Sequence, residues 1–261
     1  MLELLFLAVA PSLFIFLYIY RKDCWEPEPP HLLAWVFFLG AFACIPAGII
    51  ELLFPDGVVS SALVAPVVEE GLKFLVVYLA VYRNPEFDEP MDGIVYAMAA
   101  GLGFATLENI LYVMEGGIAV GIIRAVASVP GHVVFSCLWG FSLGMAKFRP
   151  GRARAGIIIS GLLGAMLLHG IFNFSLEVFD AGGLLVILCV ILPLGWWITN
   201  RDICSAQADP ASAYSALQRE TAIAAAAAPV PVAPVPRFCT NCGEPLHGGT
   251  RFYENCGTEF R

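Results

Sequence analysis

The chain has 261 residues, of which 59% are apolar and 14% charged. That is about half the charged share of an ordinary soluble domain, which excludes a soluble globular enzyme. Net charge is −8, from 14 Lys+Arg against 22 Asp+Glu, so there is no basic surface to hold nucleic acid against salt. The apolar residues come in long runs, so lipid is the main solvent, and the fold class is an all-α polytopic membrane protein with a small C-terminal zinc-ribbon-like segment.

Seven stretches are long enough to cross about 30 Å of hydrocarbon at about 1.5 Å per residue. They lie near Leu2 to Tyr20, Leu32 to Phe54, Val58 to Tyr82, Gly93 to Met114, Ala127 to Phe148, Ala155 to Phe179 and Leu184 to Thr199. The first has Arg21-Lys22 behind it and no basic residue ahead, the reverse of a cleavable signal, so it is expected to stay as a helix. Arg21, Lys22, Arg83, Lys147, Arg149, Arg152, Arg154 and Arg201 fall on one side and Arg124 alone on the other. The positive-inside rule then places the protein in the cell membrane with the amino terminus outside and the carboxy terminus in the cytoplasm.

Residues 1–200 thus read as the membrane domain. Residues 201–236 read as an Ala/Pro-rich linker that can extend but cannot build a core, and 237–261 as the ribbon. In the ribbon, Phe238-Cys239-Thr240-Asn241-Cys242-Gly243 and Phe252-Tyr253-Glu254-Asn255-Cys256-Gly257 are two copies of one knuckle. Four thiolates normally close such a zinc site; here Tyr253 stands where the third Cys belongs, leaving Cys239, Cys242 and Cys256, with His247 as the local candidate for a fourth ligand. Cys24, Cys44, Cys137, Cys189 and Cys204 lie in membrane segments or on the cytoplasmic side, where disulfides are not expected.

Chemistry must come from ionisable residues inside the membrane, each of which costs at least a few kcal/mol there. Glu69-Glu70-Gly71-Leu72-Lys73 puts Glu69 and Lys73 on one helix face, with Glu70 turned about 100° away toward another neighbour. One carboxylate can be oriented by Lys73 while the other serves as a general base toward water; an ion pair locking two helices is the plainer alternative. Glu108-Asn109 follow in the fourth segment, His132 opens the fifth, and His169 and Asn173 stand i,i+4 in the sixth. The Glu pair and His169 fall near the midplane, with Glu108 and His132 roughly 7 Å nearer the outer face. Shared depth favours one pocket opening outward over scattered contacts.

These residues resemble the PrsW family of intramembrane peptidases, relatives of the type II CAAX prenyl endopeptidases and bacteriocin-immunity proteins. The resemblance rests on Tyr20-Arg21-Lys22-Asp23 with Glu26-Pro27-Glu28-Pro29, on Glu69-Glu70-Gly71-Leu72-Lys73, on Met91-Asp92-Gly93, on Phe104 through Glu108-Asn109, on His132, and on His169 with Asn173. It covers roughly residues 18–200. It implies a helical membrane peptidase that clips anti-sigma factors or other single-pass membrane proteins. Glu70 or Glu69 would activate water, and His132, His169 and Asn173 would position it and stabilise the oxyanion. Where the prenyl-endopeptidase branch has His in its second motif, this chain, like the PrsW branch, has Glu108.

The residue types suit amide hydrolysis without that resemblance, because a carboxylate base, imidazoles and an amide supply proton transfer and charge stabilisation. Ser128, Ser136 and Cys137 near His132 lack a nucleophile motif. His132, His169 and a Glu also form a workable zinc ligand set, and spacing does not choose between metal-free and metal-dependent catalysis. Two other classes stay open: an ion- or proton-coupled transporter with helices broken at Pro66 and Pro130, and a membrane-anchored protein recruiting a cytoplasmic partner through the ribbon.

Overall fold

The structure, a computed structural model, describes residues 2–23, 26–149, 151 and 153–227. The ribbon ligands Cys239, Cys242 and Cys256 lie outside the described residues. Helices α1 (Leu2–Tyr20), α2 (Pro30–Glu51), α3 (Ala65–Ala80), α4 (Pro90–Ile123), α5 (Val129–Lys147), α6 (Ala153–Val186), α7 (Leu192–Gln207) and α8 (Pro210–Ala227) follow one another, with no strand among the described residues. In lipid an unpaired N–H or C=O has no water to turn to, so the apolar runs satisfy their backbone internally as helix.

Among the described residues, four stretches are long and apolar enough to cross a membrane: Glu3–Tyr20, Pro30–Glu51, Pro90–Lys147 and Ala153–Gln207. The last two, at 58 and 55 residues, are far longer than the roughly 20 residues one crossing needs. Each is broken once by a residue with positive φ, Gly117 at 71° and Asp180 at 46°. Glycine adopts that conformation freely. Beyond each break the chain folds back, bringing Gly121 beside Val113 and Gly183 beside Ser175. Each of the seven segments read from the sequence falls on a helical limb of this fold.

Three of the limbs contain a π-helical turn: Ser60–Val64, Arg124–Ser128 and Ile187–Ile191. Each is followed within two residues by a proline, Pro66, Pro130 or Pro193. Proline lacks an N–H, and its ring collides with the carbonyl four residues earlier. The helix answers by widening: Ala65, Val129 and Leu192 each donate to the carbonyl five residues back. The breaks anticipated at Pro66 and Pro130 are thus local wide turns within continuous helices.

Helix α4 is the axis of the bundle. From Pro90 to Thr106 every side chain is buried, and the small residues Gly93, Ala97, Ala99, Ala100, Gly101, Gly103 and Ala105 let α2 and α5 approach its backbone. Outward faces carry exposed Phe38, Phe42, Leu63, Leu163 and Leu167, the surface expected against lipid chains.

Lys147, Arg149 and Arg154 gather at one end of the bundle. There Lys147 donates to the carbonyls of Tyr82 and Phe87, Arg154 to those of Ala146 and Lys147, and Arg149 pairs with Asp209 at 3.0 Å. The segment after Arg201, expected as an extendable linker, departs from that expectation. Helix α7 continues to Gln207, which bonds the Lys22 carbonyl, and α8 follows with Ser212 and Ser215 buried. The cause is local: Asp209 accepts from the Ala211 N–H at 3.0 Å as a cap, and alanine is the strongest helix former.

Two carboxyl pairs lie buried at the same end, Asp23 facing Glu89 and Glu28 facing Asp92, with the Tyr96 hydroxyl donating to Glu28. A carboxyl facing a carboxyl bonds only with a proton between them. Burial pushes Asp23 up to about 6, Glu28 up to about 7 and Glu89 up to about 8. Carboxyls that hold protons more tightly when folded give stability that is complete below about pH 4 and is lost as pH rises through those values. The melting temperature of the detergent-solubilised protein should therefore fall between about pH 5 and pH 9. Glu89→Gln should flatten that fall; thermal unfolding followed by circular dichroism checks both.

Candidate active site

Helix α3 buries Pro66, Glu69, Glu70, Lys73 and Val77 along one side. That stripe brings the Lys73 ammonium back between its own two carboxylates, 2.9 Å from Glu69 Oε2 and 2.9 Å from Glu70 Oε1. Its third partner is His132 Nδ1, also at 2.9 Å. An ammonium has three N–H donors and no acceptor, so all three are used. Below it lies the Phe104 ring, 4.1 Å from Nζ to the centroid, a cation–π contact in a fully desolvated setting.

The two carboxylates have different surroundings. Glu70 is completely buried; its Oε1 also meets His169 Nδ1 at 3.1 Å, and its Oε2 accepts from Trp139 Nε1 at 3.0 Å. Glu69 is 6% exposed and forms part of a cavity wall. The expected 100° separation therefore does not part them: both reach Lys73, while Glu70 alone goes on to hydrogen-bond Trp139 of α5 and His169 of α6.

His132 at the start of α5 is held from both ring nitrogens. Nδ1 accepts from Lys73, so Nε2 carries the proton and donates to Glu108 Oε2 at 2.8 Å. Glu108 meets the Arg124 guanidinium at 2.6 Å, and Arg124 Nε donates to Asn109 Oδ1 at 2.6 Å. His169 donates from Nδ1 to Glu70, which leaves Nε2 as the other nitrogen of a residue on the cavity wall; the Phe135 ring stacks on the imidazole with centroids 4.6 Å apart. Asn173 donates one amide N–H to the Ser61 carbonyl at 2.9 Å and keeps another.

A cavity of about 930 Å³ runs from these groups to the end of the bundle opposite the basic one, where it meets Glu51, Asp56 and Asp180. Glu69, Glu108, Arg124, His132, His169 and Asn173 line it. Of the expected site residues, Glu70 and Lys73 stand behind the wall, and Asn109 is buried against Arg124. Close approach of α6 to α3 depends on Gly170. A Cβ there would stand 2.4 Å from the Ala62 carbonyl oxygen, in the wide turn ahead of Pro66.

Glu69, Glu70 and His169 place three ligand-type atoms within 4.8 Å of one another. Carboxylate oxygens with an imidazole nitrogen fit a divalent ion such as zinc in donor chemistry. This group differs from the His132–His169 set expected from sequence in having Glu70 where that set has His132.

The sequence matches the model of the PrsW family intramembrane metalloproteases over residues 28–198. The chain belongs to the PrsW family. It is 37% identical to "Protease PrsW" of Geobacillus kaustophilus over 79% of this chain and 93% of that protein. It is 36% identical to the Bacillus subtilis "Protease PrsW" over 64% and 80%, and 32% identical to that of Clostridioides difficile over 77% and 90%. No solved structure matches. Membership in the PrsW family makes the chain an integral-membrane peptidase.

Three contributors are absent from the sequence expectation: Trp139, Phe135 and Arg124. His132, Phe135 and Trp139 fall at i, i+3 and i+7, the spacing of one helix face, which is the available signal for the first two. Arg124 has a different signal, as the single basic residue on an otherwise acidic side.

Removing Lys73 leaves two buried carboxylates without their shared cation. Lys73→Met should therefore cost roughly 3 to 5 kcal/mol, read as a lowered midpoint in denaturant or heat. Gly170→Leu should separate α6 from α3 and abolish activity, with the helical content measured by circular dichroism retained.

Proposed function

We propose that the protein hydrolyses a peptide bond of a single-pass membrane protein, such as an anti-sigma factor, with Glu69 as the base that activates water. The observation carrying this reading is the division of labour within the Glu pair: one carboxylate on the cavity wall, the other sealed behind it, and one ammonium bracing both.

Lys73 takes Glu69 Oε2, so Oε1 remains for water. Glu69 removes a water proton as the oxygen bonds to the scissile carbonyl carbon, and the carbonyl π pair moves onto its oxygen. The spare N–H of Asn173 is a donor for that oxyanion. The C–N bond then breaks, and the proton on Glu69 passes to the departing nitrogen. Glu70 acts at one remove, through Lys73 and His169. Water is confined to the cavity by the aromatic packing of Phe135 and Phe172 on its inner wall. A zinc ion held by Glu69, Glu70 and His169 would polarise the substrate carbonyl or acidify its water.

The basic end faces the cytoplasm in this reading, and the cavity opens to the outer side. The tail ribbon, at Cys239, Cys242 and Cys256, is then cytoplasmic, where it can take zinc and engage a soluble partner. Membrane-impermeant thiol reagents added to intact cells should leave Cys239 and Cys256 unlabelled; labelling there reverses the orientation.

Glu69→Gln should lower kcat by about 10² to 10⁴ at nearly unchanged melting temperature, because the amide fills the same volume but accepts no proton from water. Glu70→Gln should lose activity and melt lower, since it breaks a buried charge cluster. Comparison of host membrane proteomes with wild type and Glu69→Gln should show one single-pass protein accumulating. Full activity of Glu69→Gln on that protein would sink the mechanism.

A further inference from the structure

Arg124 has no part in the hydrolysis as described, yet it is the cation most tightly tied to the site after Lys73. It begins the wide turn Arg124–Ser128, beyond the break at Gly117 that folds the chain back along α4. The fold-back lays it against one patch of α4: Nη2 2.6 Å from Glu108 Oε2, Nε donating to Asn109 Oδ1 at 2.6 Å, and the guanidinium 4.2 Å from the centre of the Tyr112 ring. This geometry uses a charge beside a carboxylate, one directed N–H to an amide oxygen and a planar face stacked on an aromatic ring, and lysine offers only a point charge.

We infer that Arg124 is the positioning residue of the site, fixing through Glu108 which nitrogen of His132 carries the proton and so keeping Nδ1 free to take the third N–H of Lys73. An unbroken series of contacts links Arg124 to Glu69. Arg124 holds Glu108 in place; Glu108 accepts from His132 Nε2; His132 Nδ1 accepts from Lys73; and Lys73 orients Glu69. If Glu108 swings away, His132 loses the acceptor that keeps its proton on Nε2. A proton moved to Nδ1 would point at the Lys73 ammonium, donor against donor. Lys73 would then have two acceptors for three protons in a dry site, and Glu69 would lose its fixed aim. This role accounts for the single arginine on the acidic side, because Glu108 requires a cation beside it whatever the charge rule prefers.

This inference rests on the Glu69 reading for its kinetic arm, and its spectroscopic arm stands without it. With a cleavable substrate, Arg124→Gln should lower kcat about tenfold to a hundredfold with KM unchanged, the cost of a misplaced group that does not touch substrate. Arg124→Lys should fall between that and wild type, since it restores the charge beside Glu108 but cannot also hold Asn109. In the Glu108→Gln background, adding Arg124→Gln should change kcat no further, because the path has already been cut. Side-chain ¹⁵N NMR of histidine-labelled protein in detergent, with His132 assigned by His132→Asn, should show the proton on Nε2 in wild type and a mixture of forms in Arg124→Gln. A raised KM at constant kcat would make Arg124 a substrate contact and overturn the inference, as would an additive loss in the double variant or an unchanged His132 signal in Arg124→Gln. If Arg124→Gln does not fold, Arg124→Lys carries the same NMR comparison. If wild type cleaves no candidate substrate while the NMR change is seen, the peptidase mechanism fails and the positioning role of Arg124 stands.

Discussion

One ammonium group holds the site together. Lys73 reaches three acceptors from two helices at 2.9 Å each, in a position fully shielded from solvent. Burying any of those charges alone would be prohibitive in lipid; burying them around a common centre is tolerable because every proton finds a lone pair. The rest of the arrangement follows from that constraint. His132 must offer Nδ1, so Nε2 must donate elsewhere, so Glu108 must be present on α4. Glu70, pulled inward by Lys73, needs further donors, and Trp139 and His169 supply them. What remains pointing at the cavity is Glu69, whose freedom on one oxygen is set by the completeness of everything behind it.

The backbone makes this possible by irregularity in a few places. The central helix α4 is narrow along the Gly93, Ala97 and Gly101 strip, where Gly140, Gly144 and Ser136 of α5 lie against its backbone, and α5 can therefore bring His132 close to residues of α3 and α4. Wide turns ahead of Pro66 and Pro130 stand just before Glu69 and His132, which line the cavity. Helical distortions of this kind are common at functional sites because they shift a side chain without breaking the ladder of hydrogen bonds for long.

Much of this is legible in the sequence. Apolar run length places the helices, and the cost of intramembrane charge singles out Glu69, Glu70, Lys73, Glu108, His132 and His169, which the fold brings together around one cavity wall. What spacing does not supply is the ranking within the set. Glu69 and Glu70 differ by one step around a helix, and the flexible Lys73 chain reaches both, so only the neighbours on α5 and α6 tell them apart. The tail departs from expectation for another reason: an Ala/Pro-rich composition signals extension on average, but most of the prolines lie after Ala228 and most of the alanines before it, and alanine alone favours helix. Arg124 looks like a topological exception because charge counting treats every basic residue as a label for a side of the membrane, with no place for one held by a carboxylate.

A five-residue wide turn takes up one residue more than a regular helical turn without redirecting the helix axis. An extra residue in a regular helix would rotate everything beyond it by about 100°, sending Glu69 or His132 to face lipid. Ahead of Pro66, Pro130 and Pro193, that rotation has already been absorbed as a local bulge. At these three places the chain can lose a single residue, closing the bulge to a regular turn, and still aim the same side chains inward.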